Sequence, residues 1–226
     1  NGPMTLGATL LHTGGNLILN GWVTGAGALQ LGGNFGGGSV YTTLTCPSNT
    51  FSGGILAGQP RDARLTATAS TVLANQGQPS ALGSGGVICF PSNQVVSTLG
   101  ITLSGFSTPQ ETDRDFVLTS TYCSLYNNGA SPLRLTGAIS DTANPAGKQL
   151  RLLGDYNSHS SPNVISGPIL QQSPSVPITL QIMGAGIWRL THPASTFSGS
   201  VKIQDNYPEQ GLQFLSAGAL GLNDVL

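Results

Sequence analysis

The sequence predicts an all-β chain, a parallel β-helix or β-solenoid, and three observations carry that expectation. The first is an internal repeat. Leu44-Thr45-Cys46-Pro47-Ser48-Asn49-Thr50-Phe51-Ser52-Gly53 returns 146 residues later as Leu190-Thr191-His192-Pro193-Ala194-Ser195-Thr196-Phe197-Ser198-Gly199. In a solenoid no unit buries its apolar face alone, so equivalent units stack Leu on Leu and Phe on Phe. A β-sandwich, the competing architecture for short strands, has no need to repeat a turn sequence. The second is composition: only 8% of the 226 residues are charged, against about 25% in an ordinary soluble domain. Glycine (32 residues) and polar uncharged side chains take their place, which suits short strands joined by tight turns. The third is the regular recurrence of Leu, Ile, Val and Phe, which separates this chain from a disordered one.

Taken in order, strands of four to six residues alternate with Gly, Pro, Asn and Asp signals. Met4 to Leu11 is the first, followed by Asn16 to Gly21 and Ala28 to Gly33. Leu17 with Leu19, and Leu29 with Leu31, place apolar side chains on one face of each strand. The pair is echoed by Leu133 to Gly137 and Leu150 to Gly154, so the duplication is expected over about residues 16–100 and 132–226 of one continuous unit, 1–226. Ile101 to Gly105, Asp113 to Leu118 and Tyr122 to Gly129 continue the strands between the halves without a linker. Ala67 to Gln76 has the only helical periodicity, but its Thr and Ser content makes it strand or loop. Ser158 to Pro177 carries Pro162, Pro168, Pro174 and Pro177. Proline cannot donate to a ladder, so a loop excursion or irregular edge is expected there. Leu44, Phe51, Leu190, Phe197 and Val201 are the expected interior.

The second copy of the repeat resembles the autotransporter-associated β-strand repeat of bacterial surface proteins. That pattern runs Gly-x-Leu-x-Leu-x-Gly-x-Asn-Thr-Tyr-x-Gly, then a strand, then Ala-Leu-Gly. Trp188, Leu190, Thr196, Phe197, Ser198, Gly199, Val201, Ile203, Leu212, Phe214, Ala219, Leu220 and Gly221 fall on it. Phe stands where Tyr is usual, and Thr191-His192-Pro193 replaces Ser-Gly-Ala, which predicts an altered turn. The resemblance implies a right-handed parallel β-helix with an extracellular, cell-surface location and no enzymatic activity.

Several function classes are excluded or disfavoured by the residues themselves. A net charge of −1 with eight scattered basic residues does not match the clustered cations that nucleic acid requires. No apolar run reaches the length of a membrane span, and residues 1–30 lack the pattern of a signal peptide. Cys46, Cys89 and Cys123 are odd in number and share no metal-like spacing, so buried apolar packing is expected over a Cys46–Cys89 bridge. His12, His159 and His192 have no mutual spacing and no acidic neighbour, which predicts neither metal nor catalysis. Asp113, Arg114 and Asp115, with Glu111 upstream, are the only local acidic cluster. They read as a solvated turn in which Arg114 satisfies both carboxylates.

Ser52 and Ser198 lack a Gly-x-Ser-x-Gly context, and the glycine-rich Gly32 to Gly38 lacks the Lys-Ser/Thr of a phosphate loop. Trp22, Trp188, Tyr41, Tyr122, Tyr126, Tyr156 and Tyr207 are candidates for a sparse sugar-stacking strip, with Trp188 better placed in the core. No catalytic, cofactor-binding or metal residues are assigned. The expected function is a non-enzymatic structural or adhesive surface module, able to assemble end to end through terminal residues such as Leu222, Val225 and Leu226 or to continue in a longer parent chain. Its expected partners are a further copy, a surface polysaccharide or a host receptor. The alternatives are a polysaccharide-binding or polysaccharide-cleaving β-helix and a phage tail-fibre component.

Overall fold

In the computed structural model the described residues are 2–32, 39–58, 63–90, 100–142, 147–204 and 210–221. Their strands are short because every few residues a glycine, proline or polar turn redirects the chain. The first eight are β1 (Met4–Thr5), β2 (Leu10–His12), β3 (Gly15–Leu19), β4 (Val23–Thr24), β5 (Leu29–Leu31), β6 (Val40–Leu44), β7 (Ile55–Ala57) and β8 (Ala63–Thr68). The middle group is β9 (Val87–Cys89), β10 (Ile101–Ser104), β11 (Gln110–Thr112), β12 (Asp115–Leu118), β13 (Tyr122–Asn128), β14 (Leu133–Leu135) and β15 (Ile139–Asp141). The last are β16 (Lys148–Gly154), β17 (Asn163–Ile165), β18 (Ile169–Leu170), β19 (Ile178–Ile182), β20 (Ile187–Leu190), β21 (Val201–Ile203) and β22 (Gly211–Phe214). A single 3-10 turn, Ala217–Leu220, follows them.

The strands form three stacked parallel sheets. Sheet I is β3-β6-β8-β10-β13-β16-β19-β21, sheet II is β2-β5-β7-β9-β12-β15-β18, and sheet III is β11-β14-β17-β20-β22. The parallel pair β1-β4 holds the place of sheet III at the start of the chain. From β9 to β17 each strand pairs with the one three further along, so up to β20 the chain visits the sheets in the order III, II, I and returns one ladder spacing higher. This all-β arrangement of parallel sheets is consistent with a β-solenoid.

The alternating leucines make the interior. In sheet I, Leu65, Ile101, Leu125, Leu152 and Ile182 are in register and buried. In sheet II the matching column is Leu29, Ile55, Ile88, Phe116, Ile139 and Ile169. Each such side chain contributes about 1.5–3 kcal/mol by leaving water. Leu44, Phe51, Leu190 and Phe197 are buried as expected, while Val201, in the outermost strand of sheet I, is only half-buried because no described strand covers its far side.

Where sheet III is interrupted between β4 and β11, buried polar side chains replace the backbone ladder. Asn49 Oδ1 accepts from Val23 N–H at 2.9 Å, and Asn49 Nδ2 donates to Ala81 O at 2.9 Å. Gln110 Oε1 accepts from Val72 N–H at 3.0 Å. Further on, Asn163 Oδ1 accepts from Leu133 N–H and Asn163 Nδ2 donates to Ile187 O. A side-chain amide has the donor and acceptor of a peptide group, so it serves as a rung wherever the main chain turns away.

Ser158 to Pro177 is corrected by the structure. It holds β17 and β18, whose Asn163, Ile165 and Ile169 are buried, so it is no excursion. Pro162 and Pro168 stand just before these strands, where no N–H is required, and Pro168 O accepts from Ile139 N–H at 2.9 Å. Ala67 to Gln76 is the end of β8 followed by turns. The corners differ in length. Between sheets III and II only residues 113–114, 136–138 and 166–168 intervene, whereas between sheets II and I the connection ranges from 13–14 to 90–100. Close backbone approach fixes the short corner: a Cβ on Gly137 would lie 2.2 Å from Arg114 O, and one on Gly167 would lie 1.8 Å from Gly137 O.

Candidate functional site

The acidic cluster does not assemble. Asp113 Oδ1 accepts from Gln76 N–H at 2.7 Å and Asp115 Oδ1 from Ala138 N–H at 2.9 Å, so each carboxylate ties a different neighbouring circuit. Glu111 faces Arg134 at 3.9 Å on an exposed surface. Arg114 overturns the expected solvated turn: it is 1% exposed and bonds neither aspartate. Its Nη1 donates to Leu82 O and Gly83 O, its Nη2 to Ser80 Oγ and its Nε to Thr112 Oγ1. Burial pushes the guanidinium down to about 10, with Asp113 opposing the shift. It remains charged at neutral pH and serves as a clasp between circuits.

The other residues singled out in the sequence scatter. His12 Nδ1 lies 2.7 Å from Thr42 Oγ1, His192 Nδ1 accepts from Ala194 N–H, and His159 O accepts from Gln213 Nε2. All three cysteines are free thiols; Cys123 is buried, but Cys46 and Cys89 are half-buried, short of the expected packing. Burial raises the Cys123 and Cys89 thiols. Ser52 and Ser198 are turn residues whose N–H groups bond Gly25 O and Gln171 Oε1. Trp188 is in the core, Trp22 is half-exposed, and Tyr156 Oη donates to Ser161 O. Gly33 to Gly38, Tyr207, Leu222, Val225 and Leu226 lie outside the described residues. Among the described residues no group of three His, Cys, Asp or Glu side chains is placed to hold a metal ion. No helix there is long and apolar enough to cross a membrane.

The face with the most chemistry to offer is the outer side of sheet I. Strand alternation turns Asn16, Tyr41 and Arg64 outward in one register column and Ile18, Thr43 and Thr66 outward in the next. Together with Leu17 they line an open groove of about 340 Å³. Tyr41 is 40% exposed. Arg64 Nε is buried with no hydrogen-bond partner among the described residues.

The Arg64 column continues through Gly100, Ser124, Arg151, Gln181 and Lys202. Arg151 lies 4.0 Å over the Tyr122 ring, and its Nε donates to Gln149 Oε1 and Gln181 Oε1. Burial lowers Arg151 and raises Tyr126, whose charged form Arg64 and Arg151 both favour. Ser124 Oγ and Arg151 Nη1 are also buried without a partner among the described residues. No Asp or Glu occurs in any of the eight strands of sheet I. The face is therefore cationic, hydroxyl-rich and flanked by tyrosines. These aromatics are visible in the sequence without their register, which only the sheet pairing supplies. Inside the same sheet Lys148 is buried, and its Nζ has no partner among the described residues; burial lowers its pKa, while Cys123 and Asp141 act in the other direction.

Comparison of the chain with protein-family models, with curated proteins and with solved structures finds no match in any of the three.

Proposed function

We propose that this chain is a non-enzymatic structural and adhesive module of a bacterial cell surface, a right-handed parallel β-helix that propagates through its two open ends. One observation carries the reading. The large apolar side chains exposed on the described residues are concentrated on the first circuits and the last: Leu11, Ile18 and Trp22 at one end, Ile203, Phe214 and Leu215 at the other. Among the described residues no further strand lies beside the outermost strands at those ends, and such an edge is a template for strand addition. A following solenoid unit, whether a second copy or the continuation of a longer chain, satisfies both. The dispersal of Glu111, Asp113 and Asp115 into separate roles supports a structural task over hydrolysis, which needs two carboxylates facing one bond.

Sedimentation velocity across protein concentration tests the reading. Wild type is expected to associate, with little response to salt because few charges are available to screen. Leu11→Lys and Phe214→Lys are expected to leave monomers. A wild type that stays monomeric at every concentration counts against propagation by self-association. Reducing-sugar release that is lost in Asp113→Ala would overturn the non-enzymatic assignment.

A further inference from the structure

We infer that the groove over β3, β6 and β8 is a binding site for a carboxylate-bearing polysaccharide, with Arg64 as the anion contact and Tyr41 as the ring that stacks on a sugar. The inference goes beyond the proposed end-to-end association; the groove adjoins one of those ends and shares Ile18 with it. Arg64 brings a planar fork of donors, the geometry that matches a carboxylate in two parallel hydrogen bonds. Its buried Nε has no partner among the described residues, and no carboxylate exists in sheet I to neutralise it. A buried donor left unsatisfied costs about 1–3 kcal/mol, a cost that an anionic ligand removes.

The rest of the groove suits a sugar more than a peptide. Tyr41 offers an exposed ring, and Asn16, Thr43 and Thr66 offer an amide and two hydroxyls to sugar hydroxyls. The backbone beneath is occupied by the β3-β6-β8 ladder, so a peptide strand finds no main-chain partners on this face. The groove, about 340 Å³, lies at the lower end of the range for small-ligand sites.

Isothermal titration of the whole chain with oligogalacturonate, its fully methyl-esterified form and polyglutamate tests this. Oligogalacturonate is expected to bind, and the ester to bind at least about tenfold more weakly, the scale of one lost charged hydrogen bond. Arg64→Gln is expected to weaken binding by about 10- to 100-fold on the same scale. Tyr41→Ala is expected to weaken it by about 2- to 10-fold through lost stacking. Arg134→Gln, on sheet III, is expected to stay within about twofold, as removal of an exposed charge away from the groove. Absence of binding at millimolar oligogalacturonate, equal binding of the ester, or equal loss in Arg134→Gln overturns the site. Tighter binding of polyglutamate replaces the polysaccharide with an acidic peptide and overturns it too. Should Arg64→Gln misfold, as judged by circular dichroism, the ester comparison on wild type and the Tyr41→Ala variant still decide.

Discussion

The two copies of the repeated stretch do the same work at different stations of the circuit. In the first, Leu44 ends a strand of sheet I, Thr50 N–H reaches Val23 O in the place of sheet III, and the chain enters sheet II at Ile55. In the second, Leu190 ends a strand of sheet III, Thr196 N–H reaches Ile169 O in sheet II, and the chain enters sheet I at Val201. The echo is displaced by one sheet. Yet both bury their Phe, both place a glycine where a Cβ would strike backbone, at 2.5 Å for Gly53 and 2.4 Å for Gly199, and both cap the preceding circuit with a side-chain oxygen. What repeats is a corner. The same Leu-to-Phe stretch thus turns the chain out of two different sheets.

The comparison can be sharpened by mutating both copies in parallel. The largest effect is expected from Phe51→Ala and Phe197→Ala, each losing about 3–5 kcal/mol as a buried aromatic truncation. Equal losses in thermal or urea unfolding support equivalence, and a loss below about 1 kcal/mol at either site breaks it. Next come the caps. Asn49→Ala leaves Val23 N–H and Ala81 O unpaired and is expected to cost about 2–4 kcal/mol, at about 1–2 per orphaned group. Ser195→Ala orphans Ile169 N–H alone and is expected to cost about 1 kcal/mol. The same unfolding measurement checks the ranking, and a reversed order rejects the assignment of Asn49 as a two-sided rung. The smallest effect is expected from Cys46→His, which imports the residue of the second copy at a half-buried position and is expected to shift stability by less than about 0.5 kcal/mol.

The strands and interior columns were legible because alternation such as Leu29-Gln30-Leu31 exposes its buried face directly. The phase of the two copies was not, since identical corner chemistry carries no label for its sheet. The second copy's Ala219-Leu220-Gly221 has a counterpart in Ala81-Leu82-Gly83, which its different spacing from the motif hides in the sequence. The structure stacks both on the repeated phenylalanine: a Cβ on Gly83 would meet Phe51 O at 2.6 Å, and one on Gly221 would meet Phe197 O at 2.2 Å. Arg114 was misread because two flanking aspartates suggest a solvated ion pair, and only the fold reveals the carbonyls of Leu82 and Gly83 waiting below it. Asn49, Gln110 and Asn163 had no sequence signal either, because an inward amide in a strand looks like any polar residue. Arg64 and Tyr41 become neighbours only through the register of β6 on β8.

The unequal corners have an evolutionary consequence. The turn from sheet III to sheet II is held by backbone packed on backbone at Arg114, Gly137 and Gly167, and leaves no room for a Cβ at either glycine. The turn from sheet II to sheet I spans three residues at 119–121 and eleven at 90–100 while the strands on either side keep their register. Because loop closure grows only logarithmically with length, this edge is free to accept inserted sequence with little thermodynamic penalty. Inserted sequence is thereby channelled onto a single longitudinal seam, and foreign epitopes grafted between Leu118 and Tyr122 should be displayed along it without disturbing the neighbouring turns.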